Sequence, residues 1–166
     1  MNVGRADIEA RIAALEDRAD IAELRARYCH VLDDRNWEAL ADLFTKDGEF
    51  DGLARVKGRE NILSFFRDTV SGIAEDFWHF CTNPTLSLDG NRAHGRIAMQ
   101  YLSVKGGVSY NSAGHYDDLF ARENGVWKFA RRKITFYYFA PVSEGFTGQP
   151  TYIHPDGRPR DWQGEP

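Results

Sequence analysis

Cysteine is scarce in this 166-residue chain: there are two, Cys29 and Cys81, with no C-x-x-C spacing. Two such cysteines make neither a disulfide framework nor a thiolate zinc site, so a pair of reduced, half-buried thiols is expected. The five histidines lack H-x-x-x-H spacing. No glycine-rich phosphate cradle or dinucleotide fingerprint occurs. Neither a metal nor a cofactor is therefore expected. Basic residues form no block, and the net charge is -4 with pI near 5.7. The clustered positive footprint that nucleic acid needs is missing. No run of about 18 apolar residues occurs, so no membrane-spanning helix is expected. The opening "MNVGRADIEARIAALEDR" is charged and helical without the apolar core of a signal peptide, which favours a cytoplasmic location. Proline is rare until the end, where Pro141, Pro150, Pro155, Pro159 and Pro166 make five of the six. Residues 1–140 thus read as a single domain. Residues 141–166 read as an arm, crossing a neighbouring surface or a pocket mouth or partly disordered.

What is present is apolar and aromatic. At 42% hydrophobic and 13% aromatic residues, the chain can fill one core and line a cavity besides. Ile8, Ile12 and Leu15 follow a helical period, and "EDRAD" then predicts a break. Asp20, with Glu23 in the capping-box position, predicts a second helix to about Asp33 carrying Ile21, Leu24 and Tyr28 on its stripe. A short helix capped by Asn36 follows. "KDGEFDG" reads as a turn into a short strand. "GRENILSFFRDTV" reads as an amphipathic helix with Ile62, Phe65, Phe66 and Val70 inward. After Gly72 the period falls to two, and "DGN", "KGG" and "ENG" separate long β-rich runs as hairpin turns do. Helices first and an antiparallel meander after predict an α+β layer architecture, with helices on one face of a curved sheet.

Four polar residues sit awkwardly in this pattern. Strand alternation puts Phe77, His79, Cys81 and Asn83 on one side, with Trp78, Phe80 and Thr82 on the other. It groups Ala130, Arg132, Ile134, Phe136 and Tyr138 against Phe129, Arg131, Lys133, Thr135 and Tyr137. An arginine on an apolar face needs a partner, or burial costs roughly several kcal/mol. A carboxylate from "RYCHVLDDRN" is a candidate partner for both His79 and Arg132. Singly, each residue has a plain structural use: His79 as a satisfied core histidine, Arg132 in an ion pair, Tyr28 as core, Asp33 as a helix end. Tyr28 and Asp33 lie about 140° apart on a regular helix, so convergence would require unwinding near Leu32. His30 and Asp34 form a competing i, i+4 pair and read as solvent-facing.

Four stretches resemble one family. "IAELRARYCHVLDDRNWEALADLFTKDGEFD", "GRENILSFF", "HFCTNPTLSLDGNRAHG" and "GVWKFARRKITFYYFAP" are similar to the SnoaL-like branch of the nuclear-transport-factor-2-like superfamily, a cystatin-like α+β cone. The likeness spans about residues 7 to 140. Within the branch it points to the lindane dehydrochlorinase, bile acid dehydratase and scytalone dehydratase groups. It implies an aspartate at Asp33, a catalytic histidine at His79 and a late-strand arginine at Arg132. Tyr28, five before Asp33, matches the dehydratases, where the dehydrochlorinase has lysine. Tyr101 stands where the bile acid dehydratase carries a further carboxylate.

These residues suit β-elimination. His79 would take a proton from carbon, Asp33 would hold its far nitrogen, and Arg132 and Tyr28 would stabilise a departing hydroxide or halide or an enolate oxygen. Ile97, Met99, Ile134 and Phe136, with Tyr101, would form the substrate wall. A mid-sized, mostly apolar, ring- or carbonyl-containing small molecule fits such a lining. The same fold also serves as a non-catalytic β subunit of ring-hydroxylating dioxygenases or as a ligand-binding module, and the same pocket would serve an isomerase or cyclase. Trp78, Phe80, Leu102 and Tyr137 on the outer face predict self-association, a homotrimer first and a dimer second.

Overall fold

The computed structural model describes residues 4–145. Helix α1 (Arg5–Asp33) leads to α2 (Trp37–Asp42), strands β1 (Phe44–Asp51) and β2 (Arg55–Lys57), and helix α3 (Arg59–Asp68). Strands β3 (Asp76–Thr82), β4 (Ser87–Asp89), β5 (Arg92–Lys105), β6 (Val108–Glu123) and β7 (Val126–Pro141) follow. The sheet order is β2-β1-β7-β6-β5-β3, with β4 on the β3 side of β5. All pairings are antiparallel except β1 with β7. The helices cover one face of this mixed, curved sheet, as the α+β expectation has it. Residues of the arm beyond Gly145 lie outside the described residues.

The expected break in the first helix does not exist. Arg5–Asp33 is continuous over 29 residues. "EDRAD" contains no glycine or proline, and each of its residues is tolerated in a helix interior at a few tenths of a kcal/mol. Asp20 is exposed on that helix instead of capping a new one. Ile8, Ile12 and Leu15 are exposed, because only the second half of α1 lies on the sheet. That half buries Ile21, Leu24, Arg25, Tyr28, Cys29 and Leu32. Asn36 caps α2 as expected, its side chain accepting from the Ala39 N–H at 3.1 Å. "KDGEF" belongs to β1 itself, where the pairing with β7 shifts register between Phe44 and Glu49.

The hairpin signals hold. Gly106 and Gly107 turn β5 into β6, and Asn124 and Gly125 turn β6 into β7, all with positive φ. Simple alternation fails in β7, because two bulges interrupt its pairing with β6. Phe120 faces Phe129 while Leu119 faces Arg131, which leaves Ala130 as an extra residue. Phe129 therefore points inward with Arg132 instead of outward. A second extra residue, Tyr137, turns Tyr138 outward, where its hydroxyl accepts from Asn111 Nδ2 at 3.1 Å. Phe139 takes the inward place.

The inward face carries a buried ionic cluster at its centre. Arg132, wholly buried, donates from Nε and Nη2 to the two Asp118 carboxylate oxygens at 2.8 and 2.9 Å. Arg25 of α1 donates to the same carboxylate at 3.1 Å and to the Thr85 carbonyl at 3.3 Å. The partner of Arg132 is thus a neighbouring strand, not the expected opening stretch. The pattern Tyr116, Asp118, Phe120 in β6 carried the signal: a carboxylate on an apolar strand face poses the question Arg132 poses. Burial opposes the Arg132 charge, but the adjoining Asp118 carboxylate outweighs it and holds the guanidinium protonated. Removing Asp118 would leave two buried cations sharing no anion. Asp118→Ala is expected to lower unfolding free energy by about 3–5 kcal/mol, read as the shift in a urea melt, whereas exposed Asp20→Ala stays within about 0.5 kcal/mol.

Candidate active site

Between α1, α3 and the concave face lies a cavity of about 440 Å³. Leu32, Phe50, Phe66, Phe77, Ile134 and Phe136 supply much of its apolar wall. Its polar groups are few: His79, Ser103, Lys105 and the phenols of Tyr28, Tyr101, Tyr110 and Tyr116. A mostly apolar hollow with sparse polar anchors is what a small-molecule site requires.

The last residue of α1 meets the edge strand here. Asp33 Oδ1 lies 2.6 Å from His79 Nδ1, and Asp33 Oδ2 accepts the His79 backbone N–H at 3.0 Å. β3 is an edge strand, so that amide has no strand neighbour on its outer side. One carboxylate therefore grips both the backbone and the ring of a single residue. The side chains are 8% exposed for His79 and 18% for Asp33, so bulk water competes weakly. Since a carboxylate only accepts, Nδ1 carries a proton, and in the neutral imidazole Nε2 is then the nitrogen with the lone pair. The Tyr101 ring packs against the imidazole at 4.9 Å between centroids, and Phe77 meets it edge-on at 5.8 Å. Arg35, with positive φ just after the helix, donates to the Ser71, Ala74 and Glu75 carbonyls and lies 4.9 Å from the Phe77 ring. It fixes the chain beside the pair. No unwinding of α1 is needed: Tyr28 faces the cavity while Asp33 reaches β3 from the helix end.

Of the nine candidate residues, the cavity wall includes His79, Tyr28, Tyr101, Ile134 and Phe136. Asp33 stands behind His79. Arg132 is not in the wall; its guanidinium carbon lies 4.1 Å from the ring centroids of Tyr28, Tyr116 and Phe129. Ile97 and Met99 face inward, yet α1 covers that half of the sheet and they join the core instead. The periodicity was correct for them, but the position of the helix was not legible. Ser103, Lys105, Tyr110 and Tyr116 were missed; on β5 and β6 they continue the inward rows of Tyr101 and Asp118. His30 and Asp34 are exposed, as expected.

The phenols are set as donors. Burial pushes the Tyr28 and Tyr116 hydroxyls far up despite the nearby Arg132 charge, and it raises Tyr101 as well. They stay protonated wherever the protein would work.

Fold and cavity together define a small-molecule α+β cone, and the comparisons agree. Residues 13–133 match the SnoaL-like domain description. The chain belongs to the SnoaL-like family. It is 29% identical over 134 residues to the gamma-hexachlorocyclohexane dehydrochlorinase of Sphingobium indicum, covering 78% of this chain and 86% of that one. The solved hexachlorocyclohexane dehydrochlorinase of Novosphingobium barchaimii superposes with a TM-score of 0.73 at 29% identity, covering 79% of this chain and 93% of that one. An NTF2-like protein with a cystatin-like fold from Novosphingobium aromaticivorans gives 0.68 at 29% identity, covering 80% and 90%. Among the described residues no helix is long and apolar enough to cross a membrane.

The shielded Nδ1–H of His79 is expected as a far-downfield, slowly exchanging proton resonance. Asp33→Ala is expected to abolish it, and retention of the resonance in that variant would show another acceptor at work.

Proposed function

We propose that the protein is a cofactor-independent lyase that eliminates hydrogen halide or water from a mostly apolar, ring-containing small molecule. The observation that carries this is the 2.6 Å contact between His79 Nδ1 and Asp33 at the wall of the cavity. In the first step His79 Nε2 takes a proton from carbon. The C–H electron pair becomes the new C=C π bond, and the neighbouring C–halogen or C–O bond breaks toward the opposite side. Asp33 keeps the imidazole in the tautomer with a free Nε2 and stabilises the imidazolium that forms. The tyrosine hydroxyls donate to the departing halide or oxygen. Arg132 acts from behind Tyr28 and Tyr116: it touches no substrate and holds the two rings whose edges the substrate meets. The apolar lining strengthens each of these interactions by excluding water. Likeness to dehydrochlorinases supports halide as a leaving group; tyrosine at position 28 fits a hydroxyl leaving group equally.

Activity is tested on polychlorinated cyclohexanes and on β-hydroxy cyclic ketones, with halide release and product mass as readouts. His79→Ala and Asp33→Ala are each expected to lower kcat by about 10²–10⁴-fold with the fold intact. A product of unchanged mass would replace elimination by isomerisation. Full turnover by His79→Ala would remove the imidazole from the chemistry.

We also propose self-association through the outer sheet face, as a homotrimer before a dimer. Trp78, Phe80 and Tyr137 are exposed there, with Leu102 half-buried beside them. Light scattering is expected to give a multiple of the 18.9 kDa chain mass, and Trp78→Asp with Phe80→Asp is expected to return the monomer. A monomeric wild type at micromolar concentration would refute the interface.

A further inference from the structure

The two cysteines are far apart in the chain, yet the fold brings them together. Cys29 Sγ and Cys81 Sγ lie 3.5 Å apart, and both are free thiols. Cys29 is buried on α1, one helical turn before Asp33; Cys81 is half-buried on β3, two residues after His79. The sulfurs therefore span the same α1–β3 seam that the His79–Asp33 hydrogen bond spans, and they take no part in the cavity wall. We propose that Cys29 and Cys81 are a reversible oxidation site, at which a hydroperoxide converts the two thiols into a disulfide tying α1 to β3 behind the cavity.

The geometry assigns the order of events. Cys81 is the more accessible sulfur and accepts a hydrogen bond from the Cys29 thiol. That bond, against burial and with help from the Arg132 and Arg25 charges, draws the Cys81 thiol below its ordinary value. The same bond and burial push Cys29 up. Cys81 is thus the attacking sulfur and Cys29 the resolving one. The Cys81 thiolate attacks one oxygen of hydrogen peroxide; an S–O bond forms, the O–O bond breaks, and the leaving hydroxide takes a proton to become water. The Cys29 sulfur then attacks the Cys81 sulfur. The S–S bond forms, the S–O bond breaks, and the second hydroxide leaves as water with the Cys29 proton. Two thiols are oxidised by two electrons, and one peroxide is reduced to two waters. Bond formation draws the sulfurs from 3.5 Å to the ordinary S–S length of about 2.05 Å.

The test treats the full chain with a few equivalents of hydrogen peroxide, blocks remaining thiols, digests it and weighs the peptides. The expected product is the Cys29 peptide joined to the Cys81 peptide within one chain. It is lighter by two hydrogens than the separate thiol peptides, and dithiothreitol reverses the link. Both thiols are lost to titration together. Cys29→Ser is expected to halt at a sulfenic acid on Cys81 that dimedone captures, and Cys81→Ser to leave Cys29 a free thiol. The proposal is overturned if wild-type Cys81 is captured by dimedone as fully as in Cys29→Ser. It is equally overturned if the only linked peptides join different chains, or if neither sulfur reacts. The wild-type mass alone decides the linkage, so a variant that fails to fold leaves the result intact. None of these readouts depends on which reaction the cavity performs.

Discussion

The grip of Asp33 on His79 is the interaction around which the cavity is arranged. It joins the end of the long helix to an edge strand, β3, whose outer amides have no neighbouring strand. A carboxylate at that place satisfies a backbone donor that would otherwise face only water, and it fixes a ring nitrogen with the same charge. The consequence is directional. With Nδ1 held by the carboxylate, Nε2 is the ring nitrogen left without that partner, and the packed rings of Tyr101 and Phe77 leave the imidazole little room to turn.

Behind this pair lies a second ionic layer that forms no part of the cavity wall. Asp118 holds Arg132 and Arg25 together between β6, β7 and α1. Arg132 in turn lies against three aromatic rings, two of which form cavity wall. A cation at that depth is tolerable only because a carboxylate is beside it and ring faces surround it. The cluster thus fixes where Tyr28 and Tyr116 present their hydroxyls. Arginine is the part of the site whose residue type was legible and whose place was not: it supports the wall from outside.

The errors in reading β7 have one cause. Alternation assigns faces only while each residue on a strand opposes one residue on its neighbour. At Ala130 and at Tyr137 two residues oppose one, and each event moves a ring across the sheet. Phe129 enters the core and Phe139 the cavity, while Tyr138 leaves. Nothing in "KFARRKITFYYF" marks these positions: neither extra residue is a glycine, and the glycine at the second bulge, Gly114, lies on the facing strand β6. The continuous α1 is a different case. "EDRAD" looks like a helix start because aspartate caps well, but without a breaker the intrahelical hydrogen bonds simply continue through it.

Local chemistry was enough to establish the layer order, the hairpin turns, the Asn36 cap and the inward placement of His79, since each depends on neighbours a few residues away. Resemblance to a family added the pairing of His79 with Asp33. The seat of α1 on the sheet was settled by packing across the whole domain. That seat sends Ile97 and Met99 into the core, leaves Tyr101 and Ser103 to the cavity, brings Arg25 to Asp118, and sets Cys29 against Cys81. Contacts between residues so distant in the chain arise from how layers stack, and no periodicity within a single segment encodes them.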